Sequence, residues 1–216
     1  MKRISIFVVS LLVGFLVVVG FAYATREQHI IAASNVSNSP LTTKFSLVDA
    51  PSNSLKGKIA SMSGSVLWLS RTARKPVQLH SSQAIQQGEE ITTGENSSVS
   101  IVIKNTDEFM LSGNTHVNFI QMLPINLVVA QNKGSVLYEN TGDNALTVNA
   151  LDLIATINRA WVAISVDPDA GTVTIDVQKG ATTIGYEDSQ NTSQVVQVTA
   201  GKEFVFDDTT RTGSSE

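Results

Sequence analysis

The sequence predicts an all-β fold, a sandwich, barrel or roll of short strands, preceded by one N-terminal transmembrane helix. Three observations carry that expectation. From Leu55 onward, short runs of alternating apolar and polar residues are separated by turn residues at spacings of roughly 8–12 residues. No long run with helical periodicity follows the first apolar segment. That first segment, Ile4 to Ala24, carries no charge; at 1.5 Å rise per residue it makes a helix about 32 Å long, enough to cross the hydrocarbon core.

The elements are taken in chain order. Residues 1–24 have two readings. As an anchor, Lys2 and Arg3 stay in the cytoplasm and the rest is sent out. As a signal peptide, Ala22-Tyr23-Ala24 supplies a cleavage site before Thr25, and the chain is secreted. Both readings place the residues after Thr25 outside the cytoplasm. Residues 25–54 read as a flexible Ser/Asn/Thr/Pro spacer, in which Phe45, Leu47 and Val48 offer an added strand. Residues 55–208 read as the β domain, and 209–216 as a polar tail.

Within the domain, strands are expected at Ile59–Met62, Val66–Leu69, Val99–Ile103 and Phe109–Leu111, then around Val117 and Phe119. Leu127–Ala130, Val136–Tyr138, Leu146–Val148, Leu151–Ile157 and Trp161–Val166 continue the series. Asp167-Pro168-Asp169-Ala170-Gly171 reads as a hairpin loop into Thr172–Val177. Thr182–Tyr186, Val195–Thr199 and Phe204–Phe206 close the domain. Gly64-Ser65-Val66-Leu67-Trp68 recurs as Gly134-Ser135-Val136-Leu137-Tyr138. This echo is either a good turn into a strand used twice or a sign of two similar β units.

Composition narrows the function. A formal net charge of −4 argues against a nucleic-acid binder. The chain has no cysteine, so it has no disulfide, thiolate metal site or cysteine nucleophile, and no lipid-bearing anchor cysteine. About 150 residues of β region suffice for one core without such staples.

The block from Gln86 to Ile103 is the most distinctive stretch. Gly88, Glu89, Ile91, Thr93, Gly94 and Ser97-Ser98 precede a strand with Val99, Ile101 and Ile103 on one face. Gly88 and Gly94 are expected in positive-φ turns. In this order the residues resemble the FecR domain family, a bacterial extracytoplasmic module. Asn105 to Leu111, Asn114-Thr115-His116-Val117, Lys133-Gly134-Ser135-Val136, Lys179-Gly180-Ala181 and Thr199-Ala200-Gly201-Lys202-Glu203 look like the family's later turn-and-strand steps. Two positions depart: Gly88-Glu89 stands for the usual Gly-Asp, and Arg159-Ala160 for Gly-Thr, where a different bend is expected. The resemblance implies a FecR-like sandwich or roll and an envelope sensing role in the bacterial cell membrane, working through a protein partner. Only Met1-Lys2-Arg3 is expected on the cytoplasmic side, too little for an anti-sigma segment, so a second protein would carry any signal inward.

Candidate chemistry is sparse. His29, His80 and His116 have no metal-ligand spacing. No Gly-x-Ser-x-Gly elbow is present. Asp167 and Asp169, with Asp152 or Asp207, lack a calcium-loop pattern and read as turn residues. The glycosylation-type triplets at Asn35, Asn96 and Asn191 arise readily by chance in a Ser/Thr/Asn-rich chain. No catalytic residue, metal or cofactor is expected. Trp68, Arg71, Arg74 and Lys75 form a basic loop beside an aromatic, the candidate contact for wall polymer or lipid headgroups. The expectation is a non-enzymatic, membrane-anchored module that binds a protein partner, by β-augmentation at a strand edge. The alternative is a structural or cell-wall-binding envelope protein.

Overall fold

The computed structural model describes residues 50–215. The membrane segment Ile4 to Ala24 and the spacer through residue 49 lie outside these residues. The described part contains strands and no helix. They are β1 (Gly57–Ser63), β2 (Val66–Leu69), β3 (Val77–Gln78), β4 (Ala84–Ile85), β5 (Glu90–Thr93), β6 (Ser98–Ile103), β7 (Asp107–Leu111), β8 (His116–Leu123) and β9 (Asn126–Asn140). Then come β10 (Leu146–Ala150), β11 (Leu153–Ile157), β12 (Trp161–Asp167), β13 (Thr172–Lys179), β14 (Ala181–Glu187), β15 (Ser193–Thr199), β16 (Lys202–Asp207) and β17 (Thr212–Ser215).

The strands form two layers. Sheet A runs β4-β1-β6-β7-β9-β12-β13-β16-β17. Sheet B runs β3-β2-β5-β8-β9-β10-β11-β14-β15. β9 belongs to both: its first half pairs with β8 and β10, and its second half with β7 and β12. All pairings are antiparallel except β9 with β10. The alternation read from the sequence is the reason. Except in β3 and β17, the strands turn one set of apolar side chains inward, and the sets from both sheets merge into one core that includes Ile101, Phe109, Val129, Tyr138, Ile164, Ile175 and Phe206.

The chain passes between layers at two seams. In the first half the crossings lie at Gly64, 94–97, 112–115 and 132–134. They are stitched by Gly94 N to Ser65 O, Asn114 N to Gly94 O, and Ser112 N to Ser135 O. Ser65 N donates to Ser97 Oγ, and Ser135 N to Thr115 Oγ1. After β9 the chain crosses at 141–145 on the opposite side. From there 158–160, Gly180 and 200–201 form a second seam, joined by Asn140 N to Ala160 O and Ala200 N to Gly180 O. The hairpin turns of the second half face the first seam, since Val166 pairs with Gly134 and Lys133 lies 3.9 Å from Asp169.

This arrangement explains the echo and corrects five local expectations. Gly64 and Gly134 both sit at first-seam crossings with positive φ, each followed by an inward valine. Leu127–Ala130 and Val136–Tyr138, read as two strands, are one strand bent at its middle. Leu151 is a turn residue with φ 49°, so its strand begins at Leu153. Gly88 has the expected positive φ, but Gly94 does not; Gly94 is a close-approach position, where a Cβ would lie 3.3 Å from Ser65 O. Arg159 keeps the left-handed corner (φ 49°) that its bulk was expected to alter. Buried Asn140 holds it there: its Oδ1 accepts from Arg159 N at 2.8 Å, and its Nδ2 donates to Asp107 and to Asn144 O. Last, the tail expected from residue 209 is ordered through Ser215, as a turn and then β17 on β16.

Candidate functional site

The expected contact loop divides in the structure. Trp68 is partly buried, and its indole N–H donates to Glu89 Oε2 at 2.9 Å. Gln86 N donates to the same oxygen at 2.8 Å. The Arg71 guanidinium lies against Gly88, close enough that a Cβ there would meet its Nε at 2.8 Å. Trp68 and Arg71 therefore support the Gln86–Glu89 turn, while Arg74 and Lys75 stand exposed beyond it.

Among the described residues, no three His, Asp or Glu side chains gather as metal ligands would. His116 bonds Glu90 at 3.0 Å, and His80 is exposed. Asp167 Oδ1 accepts from Asp169 N and Ala170 N within its own hairpin; Asp207 Oδ1 accepts from Thr210 N; Asp152 pairs with Arg211. The four aspartates serve three separate turns.

Two buried carboxyls have raised pKa values. Burial is the main cause for Glu89, opposed by its bonds from Trp68 and Gln86. Burial is also the main cause for Asp107, opposed by the bond from Asn140. The folded state then binds these protons more tightly than the unfolded state. Stability falls as pH rises between the ordinary and the raised value of each group. Thermal melts are expected to show Tm rising as pH is lowered through that window, and Glu89→Gln with Asp107→Asn to flatten the slope. Asp188 acts lower on the scale. Bonds from Thr192 N, Gln194 and Gln190 N hold it below the usual value, so its contribution is lost only as pH falls beneath the ordinary aspartate range.

The feature that sequence reading did not single out is the C-terminal end of the sandwich. Among the described residues, sheet B ends at β15, Ser193-Gln194-Val195-Val196-Gln197-Val198-Thr199, which pairs there with β14 alone. Asp188 N to Thr192 O and Ala200 N to Gly180 O set the phase of that ladder. In this phase Ser193, Val195, Gln197 and Thr199 turn their main-chain groups away from β14. β15 has no charge, no proline and a 73% exposed Val195. Edge strands are usually guarded by such residues, and this one is not. A groove of about 540 Å³ adjoins it, lined by Ile154, Gly185 and Val195 and rimmed by Asp152, Glu187 and Arg211. Gly185 pairs with both Ile154 and Val195, so the missing side chain makes the floor. A Cβ at Gly185 would meet nothing nearer than Gln194 O at 4.0 Å. Arg211 bridges Asp152 and Glu187, tying the β16–β17 turn to sheet B.

No protein-family model matches the chain, and no curated protein sequence does. Among solved structures it is similar to two crystal structures, at 2.50 and 1.65 Å resolution, titled "putative anti-sigma factor" from Parabacteroides distasonis ATCC 8503. Each gives a TM-score of 0.52, with 9% and 10% sequence identity. The match covers 59% of this chain and 58% of those chains, so the shared feature is the fold.

Proposed function

We propose that this chain is a non-enzymatic sensing or regulatory module of the bacterial envelope, FecR-like in sequence and held outside the cytoplasm, that binds a partner protein. The fold likeness to proteins titled as anti-sigma factors supports a regulatory role. The observation that carries the reading is the unguarded β15 edge, a row of main-chain donors and acceptors beside an exposed valine. Association by β-augmentation needs little else.

The fold itself supplies a clean test. The Gln197 N–H points away from β14, so proline there removes an outward donor without breaking the β14 ladder. Gln197→Pro is expected to fold as the parent does yet to lose a protein crosslinked to the full-length chain in native membranes. Equal recovery of that protein with Gln197→Pro would refute the reading. The envelope-polymer alternative draws on Arg74 and Lys75, both exposed and, among the described residues, without an ion-pair partner. It requires sedimentation with purified cell wall that is lost when both are neutralised.

A further inference from the structure

The outer face of sheet A, turned away from the core, breaks the pattern expected of a solvated sheet. Alternation calls for polar residues there. One row obeys: Ser135, Ser165 and Thr174 lie side by side on β9, β12 and β13. The next row does not. Met110, Leu137 and Ala163 are direct cross-strand neighbours on β7, β9 and β12, outward-facing and partly exposed. Trp161, two residues from Ala163 on the same strand, faces the same way and is also partly exposed.

Beside this apolar stripe stand two carboxylates. Glu108 and Glu139 are directly opposed across β7 and β9, between Val102 on β6 and Trp161 on β12. Like charges in direct opposition destabilise a ladder. Among the described residues neither carboxylate has an ion-pair partner. Glu108 accepts a hydrogen bond from the Ser100 hydroxyl. Lys58 and Lys179, at the two ends of the same row, are each two strands away, roughly 10 Å at ordinary strand spacing. Lys179 is set over the Trp161 ring, 5.1 Å from its centroid. Asp176 and Glu203 extend the stripe's own row on β13 and β16, adding to the negative charge.

An apolar centre with a polar rim is how protein-docking faces are built, and the charge here selects a cationic partner. Anionic wall polymer, anionic lipid headgroups or a second copy presenting this face would each set negative charge against Glu108 and Glu139. Arginine fits better than lysine, because its planar fork can donate to two adjacent carboxylates while its face lies along an aromatic ring. We infer that the outer face of sheet A docks a segment of a partner protein, which sets apolar side chains on Met110, Leu137 and Ala163 and an arginine between Glu108 and Glu139. This face belongs to the sheet opposite β15, so it is a surface additional to that edge.

The test uses full-length protein in neutral detergent, isotopically labelled at the methionine methyls. It is titrated with acetyl-Ser-Leu-Arg-Leu-Arg-Ser-amide, and with the same peptide carrying citrulline, the neutral isostere, in place of arginine. Met110 is the reporter; Met62 and Met122, which pack on the core, are the references. The Met110 methyl resonance is expected to shift saturably, with an affinity for the arginine peptide at least about tenfold above that for the citrulline peptide. Glu108→Gln with Glu139→Gln is expected to abolish that preference and to keep or raise the thermal midpoint, since it relieves a repulsion. Glu95→Gln with Asp169→Asn removes the same charge from exposed positions off this face and is expected to change the affinity little. Gln197→Pro is expected to bind as the parent does. Equal affinity for the two peptides, an unmoved Met110 resonance, equal weakening by both double variants, or a thermal midpoint lowered by the Glu108 and Glu139 changes would overturn the inference. None of these results would touch the reading of β15.

Discussion

Gly134→Ala is expected to destabilise the domain by about 4 kcal/mol or more, a large part of the total stability of a typical domain. Two costs combine. Gly134 has φ 85°, a left-handed conformation that costs an L-residue roughly 1–2 kcal/mol. The larger cost is spatial. A Cβ at Gly134 would sit 2.4 Å from Thr115 Oγ1, 2.5 Å from Thr115 Cα and 2.6 Å from Asn114 O. Two of these are main-chain atoms, and Thr115 is fully buried with both its N–H and its hydroxyl engaged across the first seam. Nothing there can move without opening the stitched crossings. Gly201 is the control. It has φ 78°, yet nothing lies within 4 Å of a Cβ, so Gly201→Ala is expected to cost only about 1 kcal/mol. Denaturant melts of the two variants separate the terms. Similar losses for both would mean that the first seam carries no special strain.

The contrast also shows what could be read from the sequence. The alternating runs reported the strands well, because burial on one face leaves a period of two in the residues themselves. Val99, Ile101 and Ile103 are all buried as their spacing implied. The bend in β9 left a fainter signal. Lys133-Gly134 looked like a strand entry, and the continuity of the strand through it depends on β7, β8, β10 and β12, which are distant in sequence. β17 left none. Thr212-Gly213-Ser214-Ser215 has no apolar side chain, and its pairing comes from the backbone and from the fit of Gly213 against Phe204. The left-handed Arg159 was obscured for a related reason, since Asn140, nineteen residues earlier, stabilises it. The candidate site divides in the same way. Its residues were visible as the strand Val195–Thr199, and its lack of charge was legible in the letters. Which strand ends a sheet is a property of topology, and only the observed strand order shows that β15 has a free side among the described residues. The basic loop, by contrast, was conspicuous in the letters, but two of its four members are engaged with the turn beneath it.

Gln131→Leu is expected to cost about 2–4 kcal/mol. At β9's crossing the pairing with β8 slips: His116 opposes Lys133 while Val117 opposes Gln131, leaving Asn132 as a bulge. Fully buried Gln131 spans the irregularity. Its Nε2 donates to Gly134 O at 2.7 Å and Ile164 O at 2.9 Å, and its Oε1 accepts from Tyr138 Oη at 3.0 Å. Leucine fits the volume but supplies neither donor nor acceptor. It leaves the Tyr138 hydroxyl unsatisfied at a site where burial pushes that group well above its usual pKa and keeps it neutral. Tyr138→Phe alone strands the opposite atom, Gln131 Oε1. The double variant removes both halves of that bond, so it is expected to be more stable than the sum of the single losses predicts, by roughly 1 kcal/mol. Strict additivity in the double-mutant cycle would show that the two side chains act separately. The bend would then owe its geometry to Gly134 and the stitched seam alone.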